Sequence, residues 1–442
     1  MKKIIIVLLL FFVAFGQAQD KKWTLLECVN YALENNISIK QSELDIELAN
    51  ITKKDAIGNF LPSANASASQ NWNIGLSQDP VTFNAVNSTA KNLSGGIRSS
   101  LDIFRGLQNI NTLRRAKINQ LASQYQLDKM RDDTSMFVAN AFLQILANRE
   151  QLKVLEGQNK VTKENIKNTQ ELVNAGVLPQ GDLLELKATE ATQLQQIINA
   201  ENALFLSKLS LAQLLQIKDY ASFDIVDMDY GLVSEDVLTK SAKEIFEKAK
   251  EELNDVKIAK TNTEIAEYDV KISKGALLPS LVGSYSFSSN YFTSDLFDSP
   301  DFETQITDNK SHNFSISLNI PIFNGFSTKN NVDRSKVSLE RAKYQLEQTE
   351  LDLESTVYQA YNDAKNSKKS YEAALKTEEA RRLAFEYAKE RYDVGLSNSF
   401  DFNQSRTAYE NAQSDVVRTK YDYIFRLKIL EFYFGLPITE LN

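Results

Sequence analysis

The chain states one sequence twice, so any fold it adopts must accommodate two copies of a single sizeable unit. Ala175-Gly176-Val177-Leu178, with Asp182 beyond it, returns as Val394-Gly395-Leu396-Ser397 with Asp401 beyond, an offset of 219 residues. Gly58 and Leu61-Pro62-Ser63 return as Gly275 and Leu278-Pro279-Ser280, at an offset of 217. Ala32, Lys40, Glu47, Ala49 and Lys54 recur at that same spacing as Ala249, Lys257, Glu264, Ala266 and Lys271. So long a period is not that of a solenoid, whose units run to ~20–50 residues. Two extra residues fall in the middle of the second copy.

The N-terminus reads as an export signal. Lys2-Lys3 precedes an apolar run from Ile4 to Phe15, followed by the small-x-small triplet Gly16-Gln17-Ala18. This is the pattern of a cleaved secretory signal peptide, with cleavage expected after Ala18. The run is shorter than the ~20 residues of a membrane-spanning helix, and no cysteine stands at the cleavage site to accept a lipid, so the expectation is not a lipoprotein. Nothing after residue 20 is apolar enough to cross a bilayer as a helix. Entry into a membrane would therefore require a closed β-barrel, because lipid leaves open backbone unsatisfied.

The residue inventory excludes most chemistry. One cysteine, Cys28, rules out an intrachain disulfide and a cysteine metal site; its helical context reads as a small packed side chain. One histidine, His312, supplies neither a cluster nor a Ser-His-Asp set. A net charge of −8 argues against nucleic acid. The expectation is no enzyme, no cofactor and no resident metal.

Hydrophobic periodicity switches between two regimes within each copy. In residues 313–322, Phe314, Ile316, Leu318, Ile320 and Ile322 alternate with Ser315, Ser317 and Asn319, a strand signal. In the first copy Leu93, Ile97, Leu101 and Ile103 oppose Ser94, Gly96, Arg98, Ser100 and Asp102. A strand precedes each, at 62–76 with Trp72 and Ile74, and at 280–292 with Leu281, Tyr285, Phe287 and Tyr291. Two readings fit: a half-buried soluble hairpin, or a membrane hairpin with its apolar face to lipid and its Ser/Asn face to a wet lumen. The export signal and the aromatic ends favour the second. Long polar loops are expected near 79–91 and 294–311, facing outside.

Each hairpin leads through Phe104-Arg105-Gly106 or Phe323-Asn324-Gly325 into a proline-free helical stretch, 107–173 and 326–393. Such a helix is on the order of 100 Å long, far beyond what a compact domain needs. Val332, Leu339, Leu346, Leu353 and Ala360 form one heptad seam; Val337, Tyr344, Leu351 and Tyr358 form another. The seams lie about 140° apart at ~100° per residue. A dimeric coiled coil needs one seam; two at a wide angle suit a helix with a neighbour on each side, as in a ring around a hollow. Second helices are expected at 182–215 and 401–433. Asp182-Leu-Leu-Glu185 and Asp401-Phe-Asn-Gln404 read as capping boxes opening them.

The expected organisation is therefore a signal peptide at 1–18, a first repeat at 19–217, a connector at 218–234 and a second repeat at 235–442. The first holds helices 24–60, strand hairpin 62–104, long helix 107–173, a tip and helix 182–215. The second holds helices 235–277, hairpin 280–323, long helix 326–393, a tip and helix 401–433. The connector carries Asp224, Asp227 and Asp229 among aromatics and reads as packing outside the tube.

Over nearly the whole mature length the sequence resembles the TolC family of outer-membrane efflux proteins. The carrying residues are Ala32-Leu33-Glu34-Asn35-Asn36, the Leu-Pro pairs at 61–62 and 278–279, and Pro321-Ile322-Phe323-Asn324-Gly325. Most distinctive are Leu172-Val173-Asn174-Ala175-Gly176 and Arg391-Tyr392-Asp393-Val394-Gly395, each with an aspartate six residues past its glycine. The resemblance implies a mainly α fold with a membrane β-barrel: a homotrimer whose chains give four strands each to a 12-stranded barrel, continuing into a long periplasmic α-helical barrel. It implies a passive exit duct in the outer-membrane lipid, serving efflux or type I secretion. The partners it implies are a periplasmic adaptor (membrane fusion) protein and an inner-membrane pump. The rival class is a soluble periplasmic coiled-coil adaptor, which usually carries one helical hairpin rather than two.

By motif, Gly176, Val177, Leu178, Val394, Gly395, Leu396 and Ser397 correspond to the family's adaptor-docking tips. A glycine ending a helix takes the left-handed conformation in any case, so both roles stand at Gly176 and Gly395. Asp182, Asp401 and Tyr392, with Gln404, correspond to the periplasmic gate. Three copies of Asp401 near one axis would favour cations in the constriction; simple helix capping is the alternative reading of both aspartates. Gln404 stands where the family can carry a second carboxylate, and Ser397 where it can carry an arginine.

Overall fold

The computed structural model describes residues 22–227 and 236–436; the signal peptide and part of the connector, including Asp229, lie outside them. In chain order the elements are β1 (Lys22–Trp23), α1 (Leu25–Asn35), α2 (Ile37–Gly58), β2 (Ser63–Gln78), β3 (Ala85–Arg105), α3 (Gln108–Asn174) and α4 (Gln180–Leu214). There follow β4 (Asp224–Ile225), a 3-10 turn at Asp236–Thr239, α5 (Ala242–Glu252), α6 (Asn254–Gly275), β5 (Ser280–Ser294), α7 (Phe302–Asp308), β6 (Ser311–Asn319), α8 (Ser327–Asp393) and α9 (Ser399–Tyr433). The long helices α3 and α8 are 67 residues each, and α4 and α9 are 35 each.

Two compact units cut across the sequence repeats. One comprises residues up to Glu43, Tyr125–Lys257 and those from Gln348 on; the other comprises Leu44–Gln124 and Ile258–Glu347. Each draws on both copies.

The first unit is a helical body around an apolar centre. Cys28 and Ala32 of α1, Val138, Phe142 and Ile145 of α3, Leu211 of α4, Ile245 and Ala249 of α5, and Ile424, Leu427 and Leu430 of α9 are all buried in it. Its short helices start alike. The Thr24 hydroxyl accepts the Glu27 N–H at 3.3 Å while Glu27 accepts the Thr24 N–H at 2.9 Å. Ser241 and Glu244 repeat that reciprocal capping box at 3.2 and 2.8 Å, satisfying donors that helix starts leave orphaned. The connector is pinned by charge: Asp224 accepts from Arg149 at 2.6 Å and pairs with Lys208 at 2.9 Å, while Asp227 holds Lys153 at 2.8 Å. β4 pairs with β1 in parallel.

The second unit carries one four-stranded antiparallel sheet in the order β2-β3-β5-β6. Its outer strands, β2 and β6, are each paired on one side only. Hydroxyl pairs tie strands across one face, Ser69–Ser94 at 2.8 Å and Ser284–Ser315 at 2.7 Å. The other face carries Tyr285, whose ring lies 4.7 Å from Phe314 and whose hydroxyl meets His312 Nδ1 at 3.0 Å. Phe314, Ile316 and Leu318 are 79, 74 and 62% exposed, an apolar face left open.

Three expectations need correction. The first external loop is short, because β3 already begins at Ala85; Asn and Ser side chains there, read as loop, fit a strand whose polar face is wet. The segment 294–311 is not plain loop: α7 forms in it, capped by Asp301 and anchored by Gln305. That glutamine bonds both the N–H and the C=O of Phe292 at 2.9 Å, standing in for a strand partner beyond the end of β6. β6 itself stops at Asn319, before Pro321, whose missing N–H cannot serve a ladder.

The two seams of α8 differ in cover. Val332 is buried and Leu339, Leu346, Leu353 and Ala360 are half-buried, whereas Val337, Tyr344, Leu351 and Tyr358 are all exposed. Among the described residues no helix is long and apolar enough to cross a membrane.

Candidate functional site

The hairpin ends, where α3 turns into α4 and α8 into α9, hold every candidate site residue. Both long helices stop in the same way. Gly176 and Gly395 take φ +73° and +74°. The Gly176 N–H donates to Val173 O at 3.0 Å and the Val177 N–H to Leu172 O at 2.9 Å; Gly395 and Leu396 repeat this on Tyr392 and Arg391 at 3.0 and 2.8 Å. This pair of bonds closes the last turn as a Schellman motif, which requires the left-handed residue glycine supplies. A Cβ at either glycine would meet nothing within 4 Å, so the requirement is conformational. Val177, Val394 and Leu396 project exposed from the turns; Leu178 and Ser397 are half-buried.

The return helices begin earlier than the capping-box reading placed them. The N-caps are Pro179, which gives no side-chain bond, and Asn398, whose Oδ1 accepts the Asp401 N–H at 2.8 Å. Asp182 and Asp401 are thus third residues of their helices, in the first turn, where a carboxylate still meets the positive end of the helix dipole. Glu185 and Gln404 are a turn further in. The freed Asp182 carboxylate does something else: its Oδ1 accepts the Ser399 hydroxyl at 2.8 Å, tying the first turn of α4 to that of α9. Asp401 and Gln404 are exposed.

Tyr392 stands at one end of an aromatic column. Its ring stacks on Phe402 at 4.8 Å and 16°; Phe402 meets Phe385 at 5.8 Å, and Phe385 stacks on Tyr409 at 5.6 Å and 15°. Phe385 and Tyr392 are seven apart on α8, and Phe402 and Tyr409 seven apart on α9, so the column zips these two helices. The first copy has Ile166, Val173, Leu183 and Glu190 in the corresponding positions, so only the second hairpin carries it. Burial, with the negative charges of Asp182 and Asp393, holds the Tyr392 phenol above its ordinary range, against a hydrogen bond with Thr169.

Behind this column the interior turns polar. Arg406 is 2% exposed, its guanidinium 5.8 Å over the Phe402 ring and its Nε 3.7 Å from Glu410. Its Nε and Nη1 have no hydrogen-bond partner. Glu410 accepts from Gln193 at 3.1 Å, and Gln158 donates to the Glu410 carbonyl at 3.1 Å and to Gln413 at 3.0 Å. Thr162 and Asn159 are also buried here. Burial lowers the Arg406 pKa, opposed by Glu410 and Glu185, and raises that of Glu410, opposed by Arg406 and Gln193. Sequence reasoning missed Ser399, the column and this cluster; the seven-residue aromatic spacing on both helices was the readable signal.

A family model described as "Outer membrane efflux protein" matches residues 28–215 and 245–435, most of both sequence copies. The chain belongs to the outer membrane efflux protein family. Along its length this efflux protein is 22% identical to the outer membrane protein TolC of Vibrio cholerae, over 93% of the chain and 91% of that relative. The crystal structure of the outer membrane protein VceC from Vibrio cholerae superposes with a TM-score of 0.76 at 16% identity, covering 94% and 96% of the two chains. The Campylobacter jejuni CmeC outer membrane channel gives 0.78 at 20% identity, covering 93% and 85%. The fold of this efflux protein is that of these outer membrane channels.

Proposed function

We propose that the chain, after loss of its signal peptide at Ala18 and without a lipid anchor, forms a homotrimeric exit duct in the outer membrane. It would passively conduct substrates delivered by an inner-membrane pump through a periplasmic adaptor, in efflux or type I secretion. The observation that carries this reading is the four-stranded sheet with one free edge on each outer strand and an uncovered apolar face. An exposed edge invites pairing, and in lipid only a closed barrel satisfies it; three copies would close twelve strands. The uncovered second seam of α8 supports a neighbour on that side.

In this reading the turns at Gly176, Val177, Leu178, Val394, Gly395, Leu396 and Ser397 meet the adaptor end-on, and Asp182, Asp401, Tyr392 and Gln404 form the periplasmic gate. The duct does no chemistry itself: it needs no cofactor, and nucleic acid is not a ligand. Membrane fractionation tests the whole. Recovery as a detergent-requiring trimer is expected, and a soluble monomer would reject the duct. Asp401→Ala should raise single-channel conductance and cell leakiness to bulky antibiotics; no change in either would remove Asp401 from the gate.

A further inference from the structure

A cleft of about 750 Å³ lies where the sheet hands over to the helices. Its floor is apolar: Leu107, Leu278 and the buried Val332 line it beside Gly106 and Gly275. Its rim carries four lysines, Lys271 and Lys274 from the end of α6 and Lys329 and Lys336 from the start of α8, against one carboxylate, Asp333. Asp333 holds Lys336 at 2.9 Å, and Lys271 lies 4.3 Å over the Tyr268 ring. All four lysines are exposed, and within the cleft the net charge is strongly positive.

An apolar slot with a cationic rim, at the end of a sheet whose outer face is apolar, has the layout of an amphiphile site. The slot takes hydrocarbon, and the ammonium groups, whose stems lie along apolar surface, take a phosphate. We propose that this cleft binds an anionic phospholipid of the leaflet nearest the helices, its acyl chain against Leu278 and Val332 and its phosphate among Lys271, Lys274, Lys329 and Lys336. Free phosphate would use the lysines without the slot. A zwitterionic lipid would bring the phosphate together with a quaternary ammonium that the lysine rim repels. The inference rests on the outer-membrane reading of the sheet.

Purified detergent-solubilised protein equilibrated with phosphatidylglycerol or phosphatidylcholine, then examined by native mass spectrometry, tests it. The protein should retain phosphatidylglycerol in preference to phosphatidylcholine. The quadruple variant Lys271→Gln, Lys274→Gln, Lys329→Gln, Lys336→Gln should lose retention by several hundredfold, four lysines each contributing about 1 kcal/mol near an anionic surface. A control with Lys163, Lys167, Lys365 and Lys369 changed to Gln should retain it. Equal retention of both lipids, loss in the control, an unaffected quadruple variant, or competition by glycerol phosphate as strong as by lipid would each overturn the site. Fractionation run in parallel separates the two failures: a detergent-requiring protein without lipid preference sinks the site alone, and a soluble one sinks the membrane reading with it.

Discussion

Gly106 and Gly275 meet backbone to backbone: a Cβ placed on either would collide with the carbonyl oxygen of the other. Gly106 also holds φ +57°. Gly275→Val should therefore cost stability by about 1–3 kcal/mol or more through overpacking, read as a lower thermal midpoint. Their counterparts in the other halves of the repeat, Gly325 and Gly58, have nothing within 4 Å of a built Cβ.

If the repeat continues from chain to chain, Gly325 of one copy meets Gly58 of the next in the same manner. Gly58→Val should then leave each chain folded but block the trimer, seen as monomer by size-exclusion chromatography. A normal trimer yield would mean that the inter-chain junction is built differently.

The Ser399–Asp182 bond couples the two hairpin ends. A hydrogen bond to a charged group contributes about 1.5–3 kcal/mol, so Ser399→Ala and Asp182→Asn should each raise single-channel conductance. Because they remove one interaction, the double variant should add little beyond either single change. Additive effects would show that the two residues act separately.

Tyr392→Phe should keep the stack on Phe402 and leave conductance near the parent value, whereas Tyr392→Ala should open the channel. Aromatic pairs contribute about 0.5–1.5 kcal/mol beyond area. Equal effects of both substitutions would place the role in the hydroxyl and its Thr169 bond instead.

Glu410 gives the hairpin ends a pH dependence. Burial raises its pKa above the ordinary carboxylate value, so the folded state binds this proton more tightly than the unfolded chain does. Its stabilising contribution is complete below the ordinary carboxylate range and is lost as pH rises through the raised value. Protection of α9 amides, corrected for the intrinsic pH dependence of exchange, should therefore be greatest in mild acid, and Glu410→Gln should flatten that profile. Arg406 and Glu410 lie 3.7 Å apart in the interior, so Arg406→Met alone leaves a buried carboxylate uncompensated and should lower the thermal midpoint, whereas Arg406→Met with Glu410→Gln removes both charges and should hold or raise it. A fall equivalent to several kcal/mol in the double variant would make the pair an anchor.

Much of this architecture was readable because it is written in periodicity. The 67-residue helices were placed within a residue at each end by the absence of proline and by the glycines that stop them. The strand faces followed from alternation at 314–318. What was not readable depended on contacts between distant segments. Asp182 looked like a cap because the Pro179 start leaves no polar side chain at the true cap, and its partner Ser399 is remote in sequence. The turn α7 was hidden because Gln305 is held by the backbone of Phe292, which no local pattern reveals. Arg406 and Glu410 resemble an ordinary surface i,i+4 pair until α4 and α3 are packed over them.

The equality of the helices has a mechanical meaning. With α3 matched to α8 and α4 to α9 residue for residue in length, and the first turns of the return helices tied by the Ser399–Asp182 bond, the extra residues of the second copy fall outside the hairpins, between β5 and β6. An adaptor docking as proposed would meet two turns carried on helices of equal length. Four residues inserted into α8 and α9 alone would lift one turn by ~6 Å and leave the partner seated on the other, like a table with half its legs cut short.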